Sequence, residues 1–174
     1  NALDDTISVL MGNGNGTFTT PVSYDTGAVP FDGELVDVNG DGDLDVVVVN
    51  ALENTASVLL GDGTGSFSEL IQAQPPTVGL APTSLDMGDL DGDGNLDIVA
   101  GNMLGTATVV FGIGDGTFDA TTVATYDVGS DPRDVTLVNL NDDNGDGFVN
   151  ASDLSDFFQA FGSSIEGQSF IDLA

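Results

Sequence analysis

Short apolar runs alternate with clusters of Asp, Asn and Gly along most of the chain. One stretch shows the pattern best. Glu34-Leu35-Val36 leads into an acidic cluster. Val46-Val47-Val48-Val49 leaves it as an unbroken apolar run, as expected of a strand buried on both faces. Ser57-Val58-Leu59-Leu60 predicts a third strand, and Phe67 to Ala73 a fourth. Between those two, Gly61-Asp62-Gly63-Thr64-Gly65 reads as a turn, with glycines where φ must be positive.

The unit repeats. Ile7 to Phe18 reads ISVLMGNGNGTF, Ala56 to Phe67 reads ASVLLGDGTGSF, and Ala107 to Phe118 reads ATVVFGIGDGTF. The closing phenylalanines stand 49 and 51 residues apart. Pro30, Pro82 and Pro132, spaced by 52 and 50, each introduce a strand-like segment running into an Asp-rich loop. A tandem period near 50 fits one four-stranded propeller blade and argues against a generic antiparallel sandwich. The expected fold is therefore mainly β, with tandem four-stranded antiparallel propeller-type blades. About two are full, flanked by partial blades, in an open arc. The divisions fall at a partial blade 1–30, blades 31–80 and 81–130, and the start of a further blade at 131–140. An open arc leaves apolar edges. The expectation is a fragment of a longer chain, or an array completed by another chain.

The loops carry the candidate chemistry. Asp37-Val38-Asn39-Gly40-Asp41-Gly42-Asp43-Leu44-Asp45 and Asp89-Leu90-Asp91-Gly92-Asp93-Gly94-Asn95-Leu96-Asp97 both read D-x-[DN]-x-D-G-x-x-D. Oxygen side chains at alternate positions converge if the backbone curls, and Gly at position six permits the bend. Carboxylates crowded this closely repel: a pair of unit charges at 4 Å costs about 4 kcal/mol at an effective dielectric of 20. A divalent cation removes that cost. An all-oxygen donor set suits Ca²⁺, with Mg²⁺ second. The twelfth positions are Val48 and Ala100 rather than acids, so these are not helix-loop-helix calcium loops. The plainer alternative is a solvated acidic turn, which recurrence at the same place in the repeat disfavours.

Composition narrows the function. Acids number 29 against a single base, Arg133, for a formal charge of -28. Of the acids, 25 are Asp and 4 are Glu (Glu34, Glu53, Glu69 and Glu166), a bias toward the residue that suits turns and metal loops. With no Cys, His or Lys, disulfide scaffolds, Cys/His zinc sites, His-based triads and a Lys-bearing phosphate loop are excluded. Nucleic acid is not an expected partner for so negative a surface. No basic, apolar leader opens the sequence, and no apolar stretch approaches the roughly 18 residues of a membrane helix, so membrane insertion is not expected.

The G-x-x-P segments (Gly27 to Pro30, Gly79 to Pro82, Gly129 to Pro132), the Asp loops and the G-x-G-x-G-x-F hairpins together resemble the FG-GAP/VCBS repeat family over roughly residues 5–140. These are the integrin-α-like, calcium-binding propeller blades also found in bacterial surface proteins. The resemblance implies a calcium-stabilised propeller and loop ligands at Asp37, Asn39, Asp41, Asp43 and Asp45, and at Asp89, Asp91, Asp93, Asn95 and Asp97. It implies that Asp43 and Asn95 contribute through their backbone carbonyls.

The third loop departs from this pattern. From Asp142 the chain reads D-x-N-x-D-G-x-V-N-x-x-D, placing Asp142, Asn144, Asp146, Asn150 and Asp153 at positions one, three, five, nine and twelve, with Phe148 at position seven. That is a twelve-residue calcium loop with Asp for the usual Glu at the end. Leu154, Phe157, Phe158 and Phe161 follow at helical spacing, and Gly162 suits a helix stop. Residues 141–162 resemble a single dockerin repeat, ahead of a tail at 163–174. Dockerins carry two such repeats, and only one is present.

The expected function is a non-catalytic, calcium-binding repeat module, secreted or at the cell surface and holding about three Ca²⁺ ions. Its expected partner is a protein or glycan ligand, with a cohesin-like protein or further copies of the chain as alternatives. A dockerin-type attachment module of a secreted multi-domain enzyme is the second reading. A glycan-active enzyme fragment is the third, disfavoured because the metal loops account for nearly every clustered acid.

Overall fold

The computed structural model describes residues 1–69, 75–130 and 132–137. Among these residues it contains ten strands and no helix. β1 (Thr6–Val9) and β2 (Val22–Asp25) form a two-stranded antiparallel sheet. β3 (Pro30–Val36), β4 (Asp45–Asn50), β5 (Thr55–Gly61) and β6 (Phe67–Glu69) form a four-stranded meander. β7 (Pro82–Gly88), β8 (Asp97–Asn102), β9 (Thr106–Gly112) and β10 (Phe118–Asp127) form a second one. All pairings are antiparallel, and the array is open rather than closed on itself.

The expected strands are present, and β4 and β5 run longer than their apolar cores. The segment introduced by Pro30 begins at that residue, where Pro30 pairs with Asn50 across a one-residue bulge before Asp32 meets Val49. Pro82 and Ser84 repeat that register slip against Asn102 and Gly101. Proline fits here because it opens the strand, where the missing N–H costs no ladder bond. Each proline follows a left-handed residue, Val29 at φ 59° and Ala81 at φ 51°. Side chains hold both corners: Asp5 Oδ1 accepts from Val29 N at 2.9 Å, and Asn54 Oδ1 from Ala81 N at 2.8 Å. Such backbone strain costs of order 1–3 kcal/mol per residue and persists only where neighbours enforce it. The expected fourth strand, Phe67 to Ala73, is β6 over Phe67–Glu69; residues 70–74 lie outside the described residues.

β4 shows how the sheets pack. All six of its residues are buried, as its apolar run predicts. Side chains alternate faces along a strand. Val47 and Val49 join the main core with Ala56, Val58, Met87, Ile98, Ala100, Val110 and Phe118, between the two four-stranded sheets. Val46 and Val48 turn the other way, with Leu59, against Ile7, Tyr24 and Phe67. There the Tyr24 and Phe67 rings meet edge to face at 5.6 Å. The β3–β6 sheet is thus an apolar slab between two neighbours, as a blade-type array requires.

A four-stranded meander places its first and third connections at one end. The acidic loops joining β3 to β4 and β7 to β8 therefore lie beside the hairpins joining β5 to β6 and β9 to β10.

Candidate metal centre

Each acidic loop is pinned at its last residue. Asp45 and Asp97 are fully buried at the first positions of β4 and β8. Asp97 Oδ2 accepts from Leu90 N and Oδ1 from Gly112 N, both at 2.8 Å. Asp45 does the same with Val38 N at 3.0 Å and Gly61 N at 2.8 Å. One carboxylate thus ties the loop's second residue to the neighbouring hairpin. Each oxygen keeps a lone pair for another partner.

The loop's first residue gathers the bend. Asp89 Oδ1 accepts from Gly92 N at 2.7 Å and Oδ2 from Gly94 N at 3.0 Å. In the first loop Asp37 binds the N–H groups of Gly40, Asp41 and Gly42. Asn39 and Asp41 add short-range bonds to Asp41 N and Asp43 N, each at 2.9 Å. In the second loop Asp91 and Asp93 bond Asp93 N and Asn95 N likewise. The N–H of Asp43 and the Asn39 side chain hold the exposed Asp41 carboxyl below the usual carboxylate range.

In the second loop these constraints bring three carboxylates together. Asp89, Asp91 and Asp97 each offer an oxygen within 4.8 Å of the others, a group that could hold a metal ion. The equivalent trio in the first loop is Asp37, Asn39 and Asp45, where an amide replaces the middle carboxylate. The electrostatics of the second loop are correspondingly tense. Burial, with Asp91 and Asp93 adding repulsion, pushes Asp97 up to about 6 against the pull of its two backbone N–H partners.

The seventh residues lie against the adjacent hairpin. A side-chain carbon on Gly63 would meet Asp43 Oδ1 at 2.4 Å, and one on Gly114 would meet Asn95 Oδ1 at 2.2 Å. The Asp43 and Asn95 side chains thus lie against the hairpin, and Asn95 Nδ2 also donates to Asp93 Oδ2 at 2.8 Å.

Two features escaped the sequence. One is the bond from the ninth residue to the hairpin, which spans 15 or 16 residues and leaves no local trace. The other is Asp119 on β10, which lines an open depression with Asp91, Asp93 and Asn95. Bonds from the Thr121 hydroxyl and N–H hold its carboxyl below the ordinary range. Of the expected ligands, Asp142, Asn144, Asp146, Phe148, Asn150 and Asp153 lie outside the described residues, as does the expected helix after them.

Comparison with known families matches this arrangement. The model of the FG-GAP-like repeat matches residues 2–48 and again 37–100. The two matches share the first acidic loop, and together they cover more than half of the chain. No curated protein and no solved structure matches the chain. With the family model matched twice in tandem, and with two four-stranded sheets carrying equivalent loops, the chain belongs to the FG-GAP-like repeat family.

Proposed function

We propose that the chain is a non-catalytic, extracellular repeat module whose acidic loops bind Ca²⁺, and that the bound ions stiffen a surface for adhesion, ligand binding or assembly. The observation that carries this reading is the convergence of Asp89, Asp91 and Asp97 in a loop pinned to the core. Hard oxygen donors at a flexible, multi-carboxylate site suit Ca²⁺ better than Mg²⁺, which keeps its waters. At loop positions one, three, five and nine, the second loop carries Asp89, Asp91, Asp93 and Asp97, and the first carries Asp37, Asn39, Asp41 and Asp45. The second loop therefore binds more tightly, since ligand charge tunes affinity. FG-GAP repeats are typically extracellular, where free calcium is high enough to fill such sites. No helix among the described residues is long and apolar enough to cross a membrane.

Thermal unfolding in excess Ca²⁺, excess Mg²⁺ and chelator tests the reading. The melting temperature should rise in Ca²⁺ and much less in Mg²⁺, because a ligand of the folded state alone stabilises by mass action. Identical curves in all three conditions would refute it.

A second reading rests on the twelve-residue spacing from Asp142 to Asp153. It makes the C-terminal segment a dockerin-type attachment element for a cohesin-like partner. Capture by such a partner, lost in Asp142→Ala, would support it.

A further inference from the structure

The two four-stranded sheets meet along β3 and β7, and no main-chain ladder joins those strands. Carboxylates bridge the seam instead. Asp32 Oδ2, on β3, accepts from Leu85 N of β7 at 3.0 Å. Asp86, on β7, extends the device to the next segment by accepting from Leu137 N at 2.5 Å with Oδ2. Its Oδ1 accepts from its neighbour Met87 N at 2.8 Å.

Glu34 sits at the centre of this seam. It lies on the same face of β3 as Asp32 and occupies the place in its repeat that Asp86 occupies in the next, five residues into the strand. Its Oε2 is sealed from solvent and has no hydrogen-bond partner. Burial raises its pKa above the ordinary 4.5, Asp86 and Asp32 add to the rise, and the Met87 N–H partly offsets it. The remaining titratable groups on the packed elements lie at their ends or in solvent. Asp45 opens β4 beside Val36, and Asp97 opens β8 beside Gly88. Arg133 and Asp134 are exposed in the segment beyond β7.

We propose that Glu34, Asp32 and Asp86 form a proton-operated joint between the two sheets. At neutral pH the Glu34 carboxylate repels Asp86 across the seam and Asp32 on its own strand. On taking up one proton it becomes an O–H donor, and the sealed Oε2 position gains a partner in an adjacent carboxylate. Two negative charges that pushed the sheets apart are then replaced by a shared hydrogen bond. Acid tightens the joint, and neutral pH loosens it. The sign follows from linkage: the folded state holds this proton more tightly than the unfolded chain, so the stabilisation is complete below pH 4.5 and lost as pH rises through the folded value. The joint is separate from the loop ligands, the nearest of which, Asp37 and Asp89, lie three residues along the chain from Glu34 and Asp86.

The test compares the 174-residue chain with its Glu34→Gln variant by urea unfolding in excess Ca²⁺ from pH 4 to pH 8. Glu34→Gln should be more stable than the parent at pH 8, with the difference shrinking toward zero by pH 4. In an Asp86→Asn background that gain should fall by at least half, because one of the repelling charges has gone. Amide exchange gives a local readout: the protection factor of Leu85 N–H should rise on acidification in the parent and stay flat in Glu34→Gln. A stability difference independent of pH, a less stable Glu34→Gln at pH 8, or equal Leu85 protection in both proteins would overturn the proposal.

Discussion

Glycine positions in the hairpins are set by the neighbouring acidic loop as much as by the turn. A side-chain carbon on Gly61 would stand 2.1 Å from the carbonyl oxygen of Leu44, and on Gly112 2.2 Å from that of Leu96. The equivalent Gly12 has only the Phe18 ring, at 4.0 Å, because no acidic loop lies beside it. Gly61→Ala should therefore destabilise by about 1–3 kcal/mol through overpacking, while Gly12→Ala should stay within about 0.5 kcal/mol. Equal effects in denaturant titrations would break the link between hairpin and loop. Asp97 supports a second prediction at this scale. Its folded value of about 6 lies above the ordinary 3.8, so the metal-free protein binds this proton more tightly than the unfolded chain does. Metal-free stability should fall as pH rises through about 6. A cation competes for the same oxygens, so Ca²⁺ affinity should fall as pH drops below about 6. Affinity unchanged between pH 5 and pH 7.5 would show that Asp97 is not a ligand.

Much of each strand was legible from the sequence, and the reasons differ from one to the next. The Val46–Val49 run marked β4 because a strand buried on both faces has no polar residue to interrupt it. The G-x-x-P signal located the strand entries but not their strain, since the left-handed Val29 and Ala81 are held by Asp5 and Asn54 from 24 and 27 residues away. The acidic loops were legible as candidate metal sites through their spacing. The double bond made by Asp45 and Asp97, and the seam at Glu34, were not, because each joins residues remote in sequence by groups that look like ordinary surface acids. Packing between elements yields its own prediction. Ile98 is fully buried between the sheets, whereas Leu44 is 57% exposed. Ile98→Ala should cost about 2–5 kcal/mol, and Leu44→Ala within about 0.5 kcal/mol. Comparable losses would show that the sheets do not share the core described here.

At the scale of the whole molecule, the formal charge of -28 and the stacked-sheet architecture pull against each other. Self-repulsion destabilises a compact acidic chain, and salt screens it only partly. The structure concentrates carboxylates at one end of each sheet, where the acidic loops meet the hairpins, and along the seam between sheets. Cations at the loops would relieve the first concentration, and protonation of Glu34 the second. Divalent metal should therefore stabilise beyond what equal ionic strength from a monovalent salt achieves. A melting temperature that rises as much in matched NaCl as in CaCl₂ would reduce the effect to screening.

A calorimetric Ca²⁺ titration of chelator-stripped protein, paired with Asp89→Asn/Asp97→Asn, tests the central claim most directly. The account predicts saturable binding at both loops of the repeat array, with the tighter site lost in the double variant and the weaker one retained. Absence of saturable binding, or a double variant that binds as the parent does, would make the loops acidic turns and contradict it.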